Sequence, residues 1–347
     1  MRKFHIASFS GRSGISHYGK CFFDLIFSAR GYEKLDSESC DINTIDEIRP
    51  DDMVHIEIGV NEAASISALY RLLDRDCRNV TVTLHDPPFI SWPYFRFHSR
   101  PLNALSKFTH LYLRNFGIGE GYLKRISKVF VLTHAGVKAT VSRYGLSNVF
   151  YLPFLVDPTE LHLPILPPPP NLLFFGFIGK NKGLDYALAL HERLLAFVPQ
   201  CKLFVVGEAI GEASKSYFQA LKSRYIMNVE YLGFVNELQE VFDRASIAIM
   251  PFSAYRSIIP ASASIINAMT AGKVVCATAV NAIPEFIQDG NTGMLLQRDL
   301  GIDVERIRDL LATEGEVNRL ASNAVQLLRL YHGPEPVGHA FDQAIRR

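Results

Sequence analysis

The 347-residue sequence predicts an α/β protein with two parallel β-sheets. Short apolar segments alternate with longer segments of helical periodicity, and this alternation is typical of parallel βαβ units. The pattern occurs twice, before and after a proline-rich segment at 164–170 (PILPPPP). Proline-rich sequence forms stiff, exposed connectors. We therefore expect a linker at 164–170 between two Rossmann-like domains that face each other across a cleft.

The first half, 1–163, contains five segments that predict strands of one sheet. In chain order they read KFHIASFS, DMVHIEIG, NVTVTLHD, KVFVLT and NVFYLPF. A turn and a helical pattern follow each of the first three. In open parallel sheets, ligands bind beyond the carboxyl ends of the strands, so we expect binding residues of this half in those turns.

The second half, 171–335, repeats the pattern. Its strand-like segments are LLFFG, KLFVVG, VEYLGFV, IAIMPF and VVCAT. Gly176, Gly207 and Gly233 each fall at the end of a strand, where the neighbours of a ligand must be small. This half is therefore predicted to bind a nucleotide. The final segment, 336–347, predicts a helix that returns to the first half.

Composition narrows the class of protein. The formal net charge is +1, which does not indicate binding to nucleic acid. Five cysteines show neither paired nor metal-type spacing, so we expect free thiols in a reducing compartment. The amino terminus lacks the apolar run of a signal peptide, and no run of 18 apolar residues occurs. We expect a cytoplasmic protein, with peripheral contact to the inner membrane's cytoplasmic face left open.

Several segments together resemble the glycosyltransferases of the GT-B fold, specifically the large retaining group called family 4. In the second half the matching segments are FFGFIGKNKGLDYAL, VEYLGFVNELQEVFDRASIAIMPF, NAMTAGKVVCAT and IPEFIQDGNTGMLL. In the first half they are SGRSGISHYGK, LHDPP and KVFVLTHAGVKATVSRYGLSNVFYLPFLVDP. The resemblance covers nearly the whole chain in the same order.

The resemblance implies a hexosyltransferase. Such an enzyme moves a hexose from a nucleotide-diphosphate sugar to a hydroxyl of a glycan or lipid-linked acceptor, with retention, in bacterial-type surface polysaccharide or glycolipid assembly. It implies no cofactor and no metal, because side chains and helix dipoles neutralise the leaving diphosphate. The alternative is a catalytically degenerate GT-B protein that binds a nucleotide-sugar or a partner transferase without turnover. A nucleotide-sugar hydrolase or epimerase is a third hypothesis.

The turn after the first strand of the second half carries a candidate phosphate site. Lys182 follows Gly176 by six residues, where an ammonium group and the next helix's amino terminus suit a diphosphate. The resemblance implies that the matching lysine binds the donor phosphates and stabilises the departing nucleotide. An arginine common in this turn is absent, and Phe177 stands at one of its two plausible positions. Lys180 and Arg256 are the candidate substitutes, and a solvated loop lysine is the alternative for Lys182.

The glutamate pair expected in this group is also replaced. The two positions fall on Ile259 and Asn267. An asparagine can bond a ribose hydroxyl without charge, whereas isoleucine offers no polar atom. Ser262 and Ser264 precede a helical pattern and are predicted to cap it while presenting hydroxyl and backbone N–H groups to a diphosphate. Simple N-capping is the alternative.

The first half contributes a glycine turn and a histidine. Gly11 and Gly14 follow the first strand, where such a turn suits a diphosphate or sugar, and a plain turn is the alternative. His85 ends the strand NVTVTL. The resemblance implies that the matching histidine lies near the transferred sugar, bonds a hydroxyl and aids reaction. A structural histidine is the alternative, and His5 and His55 are expected in the core.

A basic amphipathic segment lies in the first half. Between residues 87 and 156 there are nine Lys or Arg and one acidic residue. Arg100, Lys107 and Arg114 are spaced by seven and share one helical face, and Trp92 belongs to an aromatic cluster upstream. This pattern favours an anionic membrane surface, and an amphipathic core helix with a solvated basic face is the alternative. Nucleic acid is not expected, because the aromatic residues flank the charges.

Overall fold

The computed structural model folds into two compact units. Unit 1 comprises Met1–Asp157, Arg256–Ala261 and His332–Arg347, and unit 2 comprises Pro158–Tyr255 and Ser262–Tyr331. The structure describes residues 1–11, 13–39, 42–60, 62–90, 99–113, 120–164, 170–235, 237–254, 258–313 and 315–347. The predicted linker at 164–170 falls in the range of unit 2, and its residues 165–169 lie outside the described residues.

Unit 1 is built on a six-stranded parallel sheet of order β2-β1-β3-β4-β5-β6. The strands are β1 Lys3–Ala7, β2 Glu33–Asp36, β3 Met53–Ile58, β4 Asn79–Leu84, β5 Lys128–Val131 and β6 Val149–Tyr151. The α-helices are α1 Gly14–Phe22, α2 Ile42–Asp46, α3 Ala63–Asp74, α4 Arg100–Leu113, α5 Glu120–Leu123 and α6 His134–Tyr144. A π-helical segment, Phe23–Phe27, and a 3₁₀ turn, Ser28–Arg30, continue α1.

Unit 2 has a second six-stranded parallel sheet, of order β12-β11-β10-β7-β8-β9. The strands are β7 Leu172–Phe175, β8 Leu203–Val206, β9 Val229–Gly233, β10 Ile247–Met250, β11 Val274–Thr278 and β12 Met294–Leu296. The helices are α7 Leu184–Leu194, α8 Glu212–Arg224, α9 Leu238–Phe242, α10 Ala263–Thr270, α11 Ile283–Phe286, α12 Leu300–Ala312 and α13 Glu316–Tyr331.

Burial along the strands explains why these strands could be predicted from apolar runs in the sequence. Strands β3 and β4 are buried at every position after the first, and β7, β8, β10 and β11 are buried throughout. Strands covered by helices on both faces need near-continuous apolar sequence. The predicted α/β class with two parallel sheets is therefore confirmed.

The last helix, α14 (Pro334–Arg346), packs in unit 1. The ring of Phe341 lies 4.9 Å from that of Phe130 and 5.1 Å from that of Phe27, between ring centroids. Arg30 Nη2 lies 2.8 Å from Asp342 Oδ2. Aromatic packing and this half-exposed ion pair together hold helix α14 against unit 1.

The basic segment contains a helix, but its predicted surface is only partly described. Helix α4 spans the predicted region, and the side chains of Arg100 and Lys107 are not described. Trp92 and Arg114 lie outside the described residues. Membrane contact by this segment stays a prediction. Within the part of the chain that the structure describes, no helix is long and apolar enough to cross a bilayer.

Candidate functional site

His85 directly follows β4, at the carboxyl edge of the unit 1 sheet. Its backbone N–H donates to the carbonyl of Ile58, at the end of β3, at 2.9 Å. Only 7% of the residue is exposed. The ring of Tyr18, on α1, meets the imidazole edge to face with 4.9 Å between centroids. Because its backbone is tied to β3 and its ring is packed against Tyr18, His85 has a defined orientation.

The second feature of this site is the carboxylate of Glu57, which is completely buried. Its Oε2 lies 2.8 Å from Nε2 of His85. Its Oε1 lies 3.2 Å from Nε2 of His5 and 3.4 Å from Nε2 of His55. We call these four residues the Glu57 cluster. His5 and His55 were predicted to be core residues, and both are fully buried.

Adjacent parallel strands build the cluster by their register. His5 on β1 is the partner of His55 on β3, and Glu57 follows His55 by two residues, which places both on the same face of the sheet. Thr81 and Thr83 on β4 supply hydroxyls at 2.8 Å from Nδ1 and 2.9 Å from Nε2 of His55. Strands β1, β3 and β4 therefore each contribute polar atoms to one buried hydrogen-bond network.

Hydrogen bonding decides the charge of Glu57. Burial in this core would raise the pKa of the carboxyl group, but the hydrogen bonds from three imidazoles hold that pKa well below its ordinary value. Burial lowers the pKa of His5 to about 4, although its bond to Glu57 acts in the opposite direction. Near pH 7 the cluster therefore contains a carboxylate beside a neutral His5 ring.

The predicted glycine turn after β1 is held by local packing. Ser13 caps α1 by accepting a hydrogen bond from the N–H of Ser16 at 3.1 Å, and Gly14 is the first residue of that helix. A Cβ atom at Gly11 would lie 2.3 Å from Oγ of Ser16, so only glycine fits there without a shift. Ser13 Oγ also donates to Oε1 of Glu62 at 3.3 Å. A contact of Gly11 or Gly14 with a donor stays a prediction.

In unit 2 the lysine-bearing turn lies beyond the carboxyl end of β7. Gly176 follows the strand, Lys180–Lys182 forms one 3₁₀ turn, and α7 begins after Gly183. Gly183 has φ +72°, and a Cβ atom there would lie 2.2 Å from the carbonyl oxygen of Pro251. The turn is therefore packed directly on the loop that follows β10.

Lys182 and Lys180 have different surroundings in this turn. Lys182 is half-buried, and its Nζ lies 4.2 Å from the ring centroid of Phe252. Lys180 is exposed. A cation is attracted to the face of an aromatic ring, so Lys182 presents a positioned ammonium group at this edge of the sheet. Arg256, the other candidate phosphate ligand, lies outside the described residues.

The serine pair lies at the start of α10, but it differs from the predicted cap. Ser262 occupies the N-cap position without a side-chain hydrogen bond to the helix in the described structure. Its Oγ lies 3.2 Å from Oγ of Ser264 instead. Asn267 is exposed, three residues after Ser264, and residues so spaced share a helix face. The two serine hydroxyls therefore pair with each other, and Ser262 does not form the predicted side-chain cap of α10.

Three exposed apolar residues lie beyond neighbouring strands of unit 2. Phe177 follows β7, Ile210 follows β8 and Phe234 follows β9, with exposures of 64%, 67% and 59%. The loops run side by side, because Ile178 pairs with Ala209 in a parallel bridge. We call these three residues the apolar edge. In the sequence, Phe177 was noted only because it stands where an arginine is expected, and Ile210 and Phe234 were not singled out.

Glu57 is the main residue that sequence analysis missed. A glutamate within the apolar strand MVHIEI is a usable signal, because a buried charge needs partners. Its position two residues after His55 places the two side chains on one face. The partnership with His5 and His85 depends on the order of three strands, which the sequence pattern does not reveal.

Comparison with known proteins agrees with the architecture. Residues 169–328 match the family described as "Glycosyl transferases group 1". A Klebsiella pneumoniae protein, described as an uncharacterized 41.2 kDa protein in the cps region, is 30% identical over 141 residues. That match covers 40% of this chain and 36% of the relative, so the chain spans about a third of the length of the curated relative it matches. Residues 169–328 therefore resemble the group 1 glycosyltransferases.

Solved structures resemble the chain as a whole. Anabaena HepE in complex with UDP-glucose has a TM-score of 0.71 at 15% identity, covering 100% of this chain and 99% of HepE. Sucrose-phosphate synthase of Thermosynechococcus elongatus has a TM-score of 0.69 at 14% identity, covering 100% and 98%. S. aureus TarM, solved with UDP, has a TM-score of 0.62 at 13% identity, covering 88% and 58%. At these identities the likeness establishes the GT-B fold.

Proposed function

We propose that the protein is a hexosyltransferase that moves a sugar from a nucleotide diphosphate to an acceptor hydroxyl with retention. The observation that carries the proposal is the positioned lysine of the β7–α7 turn, which lies within the segment matched to the group 1 glycosyltransferases. A cation at the carboxyl edge of a parallel sheet, next to the amino terminus of a helix, suits a diphosphate.

Unit 2 would bind the donor. Lys182 is the principal phosphate ligand, and Lys180 and Arg256 are assigned supporting charge. Gly176 leaves room at the end of β7, and the hydroxyls of Ser262 and Ser264 donate to diphosphate oxygens. Asn267 bonds a ribose hydroxyl through its amide. The donor contacts assigned to unit 1 are those of Gly11 and Gly14.

The apolar edge suits the flat face of a nucleobase. Phe177 and Phe234 are aromatic and highly exposed, and ligand sites combine such apolar surface with a few polar groups. HepE was solved with UDP-glucose, which makes UDP the first nucleotide to test for this chain. Side chains and helix dipoles would neutralise the leaving diphosphate, so we propose that no metal or other cofactor takes part.

His85 is assigned to the transferred sugar. A bond from its imidazole to a sugar hydroxyl would orient the hexose while positive charge develops at the reacting carbon. Stabilisation of the departing nucleotide by Lys182 is then the main contribution of the protein to the rate.

The acceptor is proposed to be a glycan or a lipid-linked glycan of surface polysaccharide or glycolipid assembly. The relative from a cps region supports this class. The basic face of Arg100, Lys107 and Arg114, with Trp92, would place the enzyme at an anionic membrane surface on the cytoplasmic side.

A degenerate, non-catalytic GT-B protein is the second candidate. The replacement of the family's glutamate pair by Ile259 and Asn267 favours it. It predicts nucleotide-sugar binding without product, whereas a hydrolase predicts consumption of the donor without acceptor.

Isothermal titration with UDP, GDP, ADP and TDP tests the donor site. Saturable binding of one nucleotide, with the others at least about tenfold weaker, is the expected result and names the base. Absence of binding at millimolar concentration for all four would refute the proposed donor site.

A further inference from the structure

The Glu57 cluster contains more ionisable groups than the proposed reaction uses. Glu57, His5 and His55 are fully buried, and His85 nearly so. Burying such groups is unfavourable unless they are mutually hydrogen-bonded. The cluster meets the surface only at His85, whose side chain keeps 8% of its exposure. The four residues therefore form a buried hydrogen-bond network in which only His85 is accessible from outside.

We propose that Glu57 is a positioning residue for His85: its carboxylate accepts the hydrogen bond of Nε2, holds the proton there and leaves Nδ1 as the acceptor of the ring. This inference rests on the proposed function, in which His85 bonds a hydroxyl of the transferred sugar. An Nδ1 acceptor draws the proton of that hydroxyl toward the ring and so fixes the orientation of the sugar.

The two carboxylate oxygens of Glu57 face different histidines, and this supports the positioning role. A carboxylate accepts hydrogen bonds and has none to donate. Oε2 faces His85 at 2.8 Å, while Oε1 faces His5 and His55. The buried Nδ1 of His5 has no hydrogen-bond partner in the described structure, so the neutral His5 ring carries its proton on Nε2. His5 therefore donates to Oε1 and leaves Oε2 committed to His85.

The surroundings of His85 exclude the opposite ring orientation. Its backbone N–H is bonded to Ile58 and its ring packs against Tyr18. A ring turned by 180° about χ2 would remove Nε2 from Oε2 and leave one lobe of a buried carboxylate without its donor, which is unfavourable. Among the described residues, no hydrogen bond uses Nδ1 of His85, so this atom is left for a ligand.

The same atoms raise the question of a metal ion. His5, His55 and Glu57 each offer one possible ligand atom, and these three atoms all lie within 4.8 Å of one another. A histidine that binds a metal usually donates its other ring N–H to a second group. Nδ1 of His5 has no such partner in the described structure, and both nitrogens of His55 already face threonine hydroxyls. The geometry therefore favours a proton-holding network over a metal site.

The test is the tautomer of His85 in the ligand-free protein, read from the ¹⁵N shifts of its ring at pH 8. A His85→Gln variant identifies the signals among the 11 histidines. The expected result is a proton on Nε2 in the wild type and a mixture of tautomers in Glu57→Gln. A proton on Nδ1 in the wild type would overturn the inference, and that measurement does not depend on whether any variant folds.

A matched variant separates positioning from general stabilisation. Thr81→Val removes a hydrogen bond to His55 and leaves the bond between Glu57 and His85 in place. We expect Thr81→Val to keep the wild-type tautomer. We expect Glu57→Gln to lower kcat at least about tenfold, with KM for the donor changed by less than about threefold. An equal loss of kcat in both variants would overturn the positioning role.

Metal analysis of the purified protein completes the test. Less than stoichiometric metal supports the proton network, whereas one zinc per chain that is lost in Glu57→Gln would overturn it. A wild type without transferase activity would refute the proposed function alone, because the tautomer is measured without substrate.

Discussion

Replacing Lys182 by alanine should weaken nucleotide diphosphate binding while leaving the fold intact. The ammonium group is half-buried and lies 4.2 Å from the Phe252 ring centroid, at the end of a turn packed on Pro251. The contacts that shape the turn come from its glycines and backbone: Ser253 N–H donates to the carbonyl of Asn181 at 2.9 Å. Truncating the lysine side chain removes charge and keeps those contacts.

The size of the effect follows from the charges of the ammonium group and of a phosphate oxygen in contact with it. Two unit charges about 4 Å apart interact by about 4 kcal/mol at an effective dielectric constant of about 20, the value for sites near a protein surface. Ordering a lysine side chain opposes this by up to about 2 kcal/mol. The net loss on Lys182→Ala is therefore about 2 kcal/mol, which corresponds to a Kd raised about 30-fold.

Isothermal titration with UDP at two salt concentrations measures this effect. Lys222 is the matched control, because it is also half-buried and its Nζ lies 5.5 Å from the ring centroids of Phe218 and Tyr231. Lys222→Ala should leave the Kd within about twofold, and the wild-type Kd should rise with salt as charge screening increases. A change below about threefold in Lys182→Ala, or an equal change in Lys222→Ala, would refute the assignment.

Three further predictions concern single residues. His85→Gln should lower kcat by about 100-fold with unchanged UDP affinity, because the proposed hydrogen bond to the sugar is lost while the proposed nucleotide contacts come from other residues. Gly183→Ala should destabilise the protein by about 3 kcal/mol in urea titration, because φ is +72° and the new Cβ meets the Pro251 carbonyl at 2.2 Å. The unfolding free energy should fall by about 2 kcal/mol between pH 7 and pH 5 through His5 alone, since burial lowers its folded pKa to about 4 while the unfolded ring has pKa 6.5.

The sign for His5 follows from proton binding. Below pH 6.5 the His5 ring binds a proton in the unfolded chain, whereas in the folded protein it stays neutral down to about pH 4. The free energy of unfolding therefore falls as the pH decreases from 6.5 to about 4. A His5→Gln variant should show a shallower fall of stability with falling pH.

For Gly183→Ala the control is Gly145→Ala, where φ is +62° and nothing lies within 4 Å of the added Cβ. Its expected loss is about 1 kcal/mol, and an equal loss at both sites would contradict the packing argument.

The sequence predicted the buried inner strands of both sheets better than the strands at the sheet edges. The segments NVTVTL of β4 and IAIM of β10 are buried at nearly every position because helices cover both faces of the sheets, and that requirement is visible in the chain. Strand β2 was not predicted, since its residues EKLD are exposed or half-buried and carry no apolar pattern. An edge strand is specified by pairing with β1, which is a contact between distant residues.

The placement of candidate site residues was predictable only where they follow strands. The positions of His85, Gly176 and Lys182 after strands were predicted because the apolar pattern shows where strands end, and their roles in binding stay predictions. Glu57 was not found, because its partners His5 and His85 come from other strands. The pairing of Ser262 with Ser264 was also unpredicted, since a local capping rule gives a hydroxyl to the backbone while the structure gives it to a neighbouring hydroxyl.

Transferase activity is tested most directly by transfer of labelled hexose from the donor selected by titration to bacterial membrane lipid extract. The expected result is a labelled product that forms only when the extract is present and is strongly reduced in Lys182→Ala. Release of free sugar at the same rate without extract would indicate a hydrolase. Tight nucleotide-sugar binding with no consumption under either condition would contradict the claim that this chain is a transferase.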